Sequence, residues 1–255
     1  MIISVKDADI ESLCRFCEGS LLGTKISCYL KTYGTECEFC NTWYYSDGEN
    51  ISAVISKFEN SITLNCESDA DLSEIKAFLD MLGFSSLCCN ETTAQSLGYD
   101  ITSTKAAYVF CGESETEKLD DLTEEYYKSA YELISKSIPD SFDNSKNAYL
   151  SFLSDFTFRK RRGTARIKGA VIDGKIASCA LTSAETDKSA IISGVACDYE
   201  LRKKGLGKTA VLTLVNELMN ENKTVYVIAL NKSAEGFYEH IGFKKIERIS
   251  FIERK

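Results

Sequence analysis

The stretch Arg202-Lys203-Lys204-Gly205-Leu206-Gly207-Lys208 stands between an apolar run that ends near Cys197 and a helical pattern that continues to about Asn220. A strand that turns through two glycines into a helix exposes backbone N–H groups at the positive end of the helix dipole. Glycine lacks a Cβ, so the backbone can approach an anion closely and adopt a positive φ. Four cationic side chains add positive charge. The stretch therefore predicts a binding site for a polyphosphate.

Two kinds of phosphate-binding loop compete for this segment. A P-loop requires G-x-x-x-x-G-K-[ST], and Gly207-Lys208-Thr209 supplies only its end, because the first glycine would fall at Arg202. No apolar strand that ends in a magnesium-binding Asp is evident elsewhere. The remaining pattern, [QR]-x-x-G-x-[GA] directly after a strand, is therefore favoured.

Two flanking segments agree with this second pattern. Upstream, Gly194-Val195-Ala196-Cys197-Asp198-Tyr199-Glu200-Leu201-Arg202 has the form of a strand followed by a loop. Downstream, Asn231 is followed three residues later by Ala234, four residues after that by Tyr238, and then by Gly242-Phe243.

In this order and at this spacing, the three motifs resemble the GNAT superfamily of acyl-CoA-dependent N-acyltransferases. The resemblance covers about residues 120–255, and it departs from the family at Tyr199, where a proline is usual. It implies an α/β (α+β) fold, with a mixed, mostly antiparallel sheet flanked by helices and the element order α-α-β-β-β-α-β-α-β.

The resemblance also implies an activity, the transfer of an acyl group, expected to be acetyl, from CoA to a primary amine. Tyr238 is the expected general acid, because a phenol with a pKa of about 10 can give a proton to the departing thiolate and recover it from solvent. Acetyl-CoA is the expected co-substrate, and no metal is expected. The residues expected to hold CoA are Val195, Cys197, Arg202, Lys203, Lys204, Gly205, Leu206, Gly207, Lys208, Thr209 and Asn231.

The general base is not assigned. Glu185, Asp187 and Glu200 lie near predicted strand ends, where most carboxylates are solvated surface groups. His240 is the only histidine and has a suitable ordinary pKa, but its place beside a Gly-Phe helix stop is typical of an exposed helix end. Loss of the amine proton to water is the remaining route.

The first half of the chain has the pattern of a reduced copy of the second. The segment Phe78-Leu79-Asp80-Met81-Leu82-Gly83-Phe84 matches residues 237–243 in pattern, and no glycine-rich basic loop precedes it. We expect a smaller, degenerate GNAT-like domain over residues 1–111, an acidic linker over 112–121 and an acetyltransferase domain over 122–255.

Local patterns predict the main elements of both halves. In the first half they predict a helix over 8–21, strands over 41–45, 51–58, 61–66 and 84–89, and a helix over 71–82. In the second half a helix is expected to begin with a capping box at Asp121 and Glu124 and to end at Pro139, followed by another over about 144–156. A hairpin turning at Asp173-Gly174 comes next.

Charge is unevenly distributed. Residues 1–120 hold 8 Lys+Arg and 20 Asp+Glu, whereas the remainder holds 22 and 18. The loop lies in the basic half, where positive charge attracts an anionic co-substrate. The negative charge of the other half argues against nucleic acid as a partner. No apolar run approaches the ~20 residues of a membrane span, and the N-terminus lacks the features of a signal peptide. We expect a cytoplasmic protein without a membrane partner. The sequence is also compatible with a homodimer.

Eleven cysteines without a signal peptide predict reduced thiols. Cys14-x-x-Cys17 and Cys37-x-x-Cys40 have the spacing of a four-cysteine zinc site. The competing interpretation is that the first pair belongs to the apolar stripe of a helix.

Two alternative functions remain beside the enzyme. One is a CoA-binding module without turnover whose acidic half recruits a partner, and the other is a zinc-dependent nucleic-acid adaptor.

Overall fold

The computed structural model describes residues 1–6, 9–48, 50–113, 118–138 and 145–254. Part of the expected linker, Pro139 and Asn144 lie outside these residues. In the described segments, each helix is too short or too polar to span a lipid bilayer. The elements in chain order are β1 (Ile2–Ser4), α1 (Ile10–Phe16), α2 (Leu21–Tyr33), β2 (Cys40–Ser46), β3 (Ile51–Phe58), β4 (Ser61–Cys66), α3 (Leu72–Leu82), β5 (Ser86–Asn90), α4 (Glu91–Leu97), β6 (Ser103–Phe110), α5 (Glu124–Ser137), α6 (Lys146–Arg161), β7 (Ile167–Ile172), β8 (Lys175–Glu185), β9 (Ser189–Cys197), α7 (Leu206–Asn220), β10 (Thr224–Ala229), α8 (Lys232–His240) and β11 (Phe243–Glu253).

The chain folds into two compact units, each built from segments that are distant in sequence. The expected domains 1–111 and 122–255 stay a prediction; in the division into compact units, two later segments, Ile228–Gly236 and Lys245–Lys255, join the first half. The first unit comprises Met1–Tyr108, Ile228–Gly236 and Lys245–Lys255, and the second comprises Val109–Val227 and Phe237–Lys244.

The strands of the first unit have the order β1-β2-β3-β4-β5-β11-β6. Each pair of neighbours from β1 to β4 is antiparallel, whereas β4 and β5 are parallel. The C-terminal strand β11 pairs antiparallel with β5 over Ile249–Glu253. Beside it, the Thr102 N–H at the start of β6 donates to the Phe251 carbonyl at 2.9 Å. These bonds explain why the end of the chain belongs to the first unit.

The core of the first unit lies between its sheet and α3. Ile75 and Leu79 of this helix are fully buried with Leu64 and Leu87 of the sheet, as expected for an amphipathic helix on an apolar sheet face. The strands and the helix predicted between residues 41 and 82 are confirmed.

A helix is expected over residues 8–21 and a second short helix or loop over residues 24–33. The first is shorter than expected, because α1 ends at Phe16, and the second begins earlier, because α2 starts at Leu21. Ser20 marks the start of α2, because its hydroxyl accepts the Gly23 N–H at 3.2 Å. Cys17 lies between the two helices, buried beside Leu13 and Ile26. Burial raises the pKa of its thiol to about 12, as expected for a cysteine that packs as a small apolar side chain. Among the described residues, no three His, Cys, Asp or Glu side chains are grouped to hold a metal ion.

The second unit has the strand order β10-β9-β8-β7, in which only β10 and β9 are parallel. The predicted hairpin between β7 and β8 is confirmed. α5 and α6 pack together through Tyr127 and Phe156, whose rings meet edge to face at 5.2 Å. The expected capping box is wrong, because α5 begins after Thr123 and the Asp121 carboxylate instead pairs with Lys168 at 2.8 Å.

One order of elements, strand, helix, parallel strand, helix, occurs twice along the chain. It is β4-α3-β5-α4 in the first half and β9-α7-β10-α8 in the second half. In both, an asparagine at the end of the second strand caps the next helix, Asn90 for α4 and Asn231 for α8. The predicted likeness of residues 78–84 and 237–243 is confirmed locally, because each segment ends a helix and leads through a glycine toward a strand. The two helices, α3 and α8, hold different places in the repeated order.

Candidate functional site

β9 leads into the candidate site and has one edge that is only partly paired. On one side it pairs with β8 up to Cys197, which lies opposite Ser178. On the other side, pairing with β10 covers only Ser189–Ile192. Within the described chain, Ser193–Cys197 therefore have no strand partner on that side. Val195 and Cys197 are half-buried there, and an extended ligand can add to such an edge through main-chain hydrogen bonds.

A bulge at Gly194 interrupts this strand. Between two paired positions, β9 has one residue more than β8. Gly194 has a φ of +56°, and a Cβ on it would come within 2.9 Å of the Leu181 side chain and 3.0 Å of Ile134. Glycine is required here by both conformation and space. The sequence prediction did not assign Gly194 to the site, although a lone glycine inside a strand pattern is a bulge signal.

The loop after β9 opens with a 3₁₀ turn, Tyr199–Leu201. The Asp198 carboxylate caps this turn by accepting a backbone N–H at 2.9 Å. Arg202 follows, and its Nε donates to the Cys197 carbonyl at 3.3 Å while its guanidinium lies 5.2 Å from the centre of the Tyr199 ring. The first cation of the loop is therefore held against the end of the strand.

The first turn of α7 presents backbone donors. Gly205, the residue before the helix, has a φ of +85°, whereas Gly207 does not have a positive φ. Backbone conformation therefore requires glycine only at the first of these two positions. Among the described residues, the N–H groups of Gly205, Leu206 and Lys208 donate to no backbone carbonyl. Such N–H groups, at the positive end of the helix dipole, favour an anion.

Four cationic side chains surround this helix start and are exposed to solvent. In the part of the chain that the structure describes, none of the four forms a salt bridge. A polyphosphate can therefore be attracted without the loss of an existing ion pair. These side chains are Arg202, Lys203, Lys204 and Lys208.

Ser178 on β8 and Thr209 of α7 form the hydrogen bonds that hold the first turn of α7. Ser178, which is fully buried on β8, donates its hydroxyl hydrogen to the Leu206 carbonyl at 3.1 Å. Thr209 donates its backbone N–H and its hydroxyl hydrogen to the Gly205 carbonyl, at 2.9 and 3.3 Å.

Burial raises the pKa of the Cys197 thiol, so this side chain packs at the site as a neutral group rather than a reactive thiolate.

Tyr238 lies in the interior of the second unit and is 6% exposed. Its ring packs at a steep angle against Phe237 and Phe243, with ring centres 5.3 and 5.5 Å away. Burial raises the pKa of its hydroxyl above the ordinary value, so the hydroxyl is protonated at neutral pH. Its anion is costly unless bound ligand or solvent stabilises it.

The remaining predicted residues have different surroundings. Asn231 belongs to the first unit, and its side-chain oxygen accepts the Ala234 N–H at 3.0 Å as the cap of α8. Glu185 is 1% exposed and is bound by Arg166 and Lys223, at 2.7 and 2.8 Å. These two ion pairs occupy the carboxylate, which is thus poorly placed to act as a base. The other base candidates are exposed: Asp187, Glu200 and His240.

The open edge of β9 leads through the loop of residues 198–205 to the cationic start of α7. The strand edge suits the amides of the pantetheine arm, and the helix start suits the diphosphate. Residues 120–243 match the model of the acetyltransferase (GNAT) family. These residues form a GNAT acetyltransferase domain. The GNAT domain includes Tyr238 and every residue predicted to hold CoA.

Several solved structures that are similar to this chain are named as GNAT or GCN5-related proteins. A GNAT-family acetyltransferase from Colwellia psychrerythraea is 12% identical, with a TM-score of 0.60 and 100% of both chains covered. A tandem GNAT protein from the clavulanic acid biosynthesis pathway is 14% identical, with a TM-score of 0.62, covering 98% of this chain and 97% of that one. A GCN5-related N-acetyltransferase from Sphaerobacter thermophilus is 12% identical, with a TM-score of 0.62, covering 98% and 94%.

At this level of identity the likeness concerns the fold alone. It confirms the expected α/β architecture, a mixed and mostly antiparallel sheet flanked by helices, and it extends over both the GNAT domain and the first half. No curated protein matches the chain in sequence.

Proposed function

We propose that the protein is an N-acetyltransferase that moves an acetyl group from acetyl-CoA to a primary amine. Membership of residues 120–243 in the GNAT family supports acyl transfer from CoA. The amides and the four cations at the start of α7 would bind the diphosphate, and the main chain at Val195 and Cys197 would bind the pantetheine arm. The acceptor is an amine of a small molecule or of a protein.

In the proposed reaction, the neutral amine attacks the thioester carbonyl directly. The N–C bond forms and the C–S bond breaks, the amine nitrogen loses a proton to water, and the CoA sulfur takes a proton from the Tyr238 hydroxyl. Tyr238 then recovers its proton from solvent. Burial, which raises the pKa of Tyr238, keeps this donor protonated at neutral pH.

The observation that carries this proposal is the open edge of β9, which leads through the loop of residues 198–205 to a helix start whose four cations form no salt bridge among the described residues. Pairing with β10 ends at Ile192, and the N–H groups of Gly205, Leu206 and Lys208 follow with no carbonyl acceptor among the described residues. An extended arm that ends in a diphosphate has the shape and charge that this surface requires.

The test is incubation of the full chain with acetyl-CoA and a panel of primary amines that includes lysine peptides, polyamines and small aromatic amines. Release of the CoA thiol is the readout, and a reaction without amine is the control. We expect release that depends on one class of amine. A protein that binds CoA in calorimetry but releases no thiol with any amine would instead be the CoA-binding module without turnover.

We also propose that the protein works in the cytoplasm, a reducing compartment. All eleven cysteines are free thiols. Burial raises the pKa of Cys17 and of Cys40 to about 12, which keeps both thiols protonated and slow to oxidise. Free thiols in this number are typical of proteins that are kept reduced.

A further inference from the structure

One exposed aromatic ring beside the anion-binding loop has no part in the reaction proposed above. Tyr199 is 81% exposed, more than any other large apolar or aromatic side chain that the structure describes. Exposure of a single large ring in water forgoes hydrophobic burial, and aromatic rings exposed at binding sites are common contact points for ligands. The ring is therefore accessible to a ligand that binds at the loop.

The backbone that carries this ring is ordered by hydrogen bonds within the loop. Tyr199 begins the 3₁₀ turn that Asp198 caps, and its carbonyl accepts the Arg202 N–H at 3.4 Å. The Arg202 guanidinium lies 5.2 Å from the ring centre, within the range of a cation–π contact. A preformed aromatic surface loses little conformational freedom when a ligand stacks on it.

The chemistry around Tyr199 selects a ligand that joins an aromatic base to phosphates. The four exposed cations at the start of α7 favour an anionic ligand. Tyr199 is the only aromatic residue between Gly194 and Thr209. CoA carries its adenine a few bonds from its diphosphate. Purines stack on tyrosine rings and on guanidinium groups.

We infer that Tyr199 is the adenine-binding residue of the CoA site, with the purine stacked on its ring. This inference rests on the proposed function, because it takes CoA as the ligand of the loop. The tyrosine stands where the superfamily usually has a proline, so the stacking surface is a property of this chain's own sequence.

Calorimetry on the full chain tests this inference with CoA and with 4′-phosphopantetheine, which lacks the adenosine. Replacement of the ring in Tyr199→Ala is expected to weaken CoA binding about fivefold or more, the range measured for loss of one base–aromatic stack. Binding of 4′-phosphopantetheine is expected to stay unchanged. Tyr199→Phe keeps the ring and is expected to bind CoA as the wild type does. Phe39→Ala, which removes an exposed ring from the first unit, is the matched control.

A second ligand separates stacking from a structural role of Tyr199 in the loop. Adenosine 3′,5′-bisphosphate carries the base and no pantetheine, so it is expected to compete with CoA on the wild type and much less on Tyr199→Ala. Unchanged CoA affinity in Tyr199→Ala, or an equal loss for CoA and 4′-phosphopantetheine, would overturn the inference and leave the proposed function standing. A wild-type chain that binds no CoA at all would remove both.

Discussion

At the scale of the residue, Gly205 sets the conformation of the helix start. Its φ of +85° lies in the left-handed region, which costs an L side chain about 1–2 kcal/mol. An added Cβ would meet no heavy atom within 4 Å. A substitution at this position therefore acts through backbone strain and not through a clash.

This contrast between the two glycines gives the first prediction. Gly205→Ala should lower the free energy of unfolding by about 1 kcal/mol. Gly207→Ala should be neutral or slightly stabilising, because its φ is not positive and its Cβ would lie 3.9 Å from Cys197. Urea denaturation of both variants measures the difference, and equal effects at the two positions would show that the helix start is not strained as described.

The second prediction concerns the hydroxyl of Tyr238. Tyr238→Phe keeps the packing against Phe237 and Phe243 and removes only the proton donor, so kcat should fall by about 10²–10⁴ while CoA affinity is retained. Tyr127→Phe is the matched control, because Tyr127 is also buried against a phenylalanine. Single-turnover kinetics and calorimetry measure the two quantities. A Tyr238→Phe protein with full turnover would take Tyr238 out of the mechanism.

The direction of the Tyr238 pKa gives a third prediction. A proton donor must be protonated, and burial raises the pKa of Tyr238 above its ordinary value of about 10. Wild-type kcat should therefore show no loss from tyrosine ionisation as the pH rises to about 10. A pH–rate profile measures this. A fall in wild-type kcat below that pH that is absent from Tyr238→Phe would contradict the assignment.

At the scale of the element, a charged cluster joins the start of β7 and the end of β8 to the end of α7. It comprises Arg166, Glu185, Glu221 and Lys223. Arg166 pairs with both glutamates at 2.7 Å, and Lys223 pairs with both at 2.8 Å. Since Glu185 is 1% exposed, its charge depends on these partners.

The fourth prediction is that Glu185→Gln destabilises the protein far more than a comparable change on the surface. Loss of one partner from a buried ion pair costs about 3–5 kcal/mol. Glu132→Gln is the matched control, because it breaks an exposed i,i+4 pair with Lys128 at 4.0 Å, which should cost less than about 1 kcal/mol. Urea denaturation measures both. A cost for Glu185→Gln as small as that of the control would mean that the cluster does not stabilise the fold.

The cluster also predicts how stability depends on pH. The hydrogen bond from Arg166 lowers the pKa of Glu221 to about 2, below its ordinary value of about 4.3. A group with a lowered pKa contributes stability above its unfolded pKa and loses it as the pH falls toward the folded pKa. Between these two values the wild type should therefore lose stability more steeply than Glu221→Gln. Thermal unfolding across this range measures the difference, and parallel curves would rule out a role for Glu221.

Elements with strong local signals could be predicted from the sequence. The hairpin at Asp173-Gly174 and the glycine-led α7 follow from turn and helix chemistry that lies within a few residues. The sequence does not predict α4, because this helix is short and polar. It does not predict β6 either, because polar and apolar residues alternate only weakly along this strand. The capping box at Asp121 failed because tertiary pairing with Lys168 outweighed a local bond.

At the scale of the whole molecule, the position of the C-terminal strand could not be predicted from sequence. Nothing in Phe243–Glu253 indicates which strands it joins, and the structure pairs it with β5 in the first unit. The loop 202–209 could be predicted because its residues are contiguous. By contrast, the open edge of β9 depends on where its pairing with β10 ends, which is a property of the sheet and not of the motif.

The pairing of β11 with β5 gives a prediction for the chain as a whole. A fragment of residues 1–111 lacks the strand that lies beside β5, so it should be largely unfolded by circular dichroism and hydrogen exchange. Addition of a peptide of residues 243–254 should increase its protection, because it restores the missing hydrogen bonds. A fragment that is stably folded alone would show that the first unit does not need β11.

The central claim is that the start of α7 binds the diphosphate of CoA, and the most direct test is the CoA affinity of Gly205→Glu/Gly207→Glu, measured by calorimetry. Two carboxylates placed among the anion-binding amides should abolish measurable binding while circular dichroism remains native. Lys188→Glu makes the same change of two charges at an exposed turn of the second unit and should bind CoA as the wild type does. Unchanged affinity in the double glycine variant would contradict the claim.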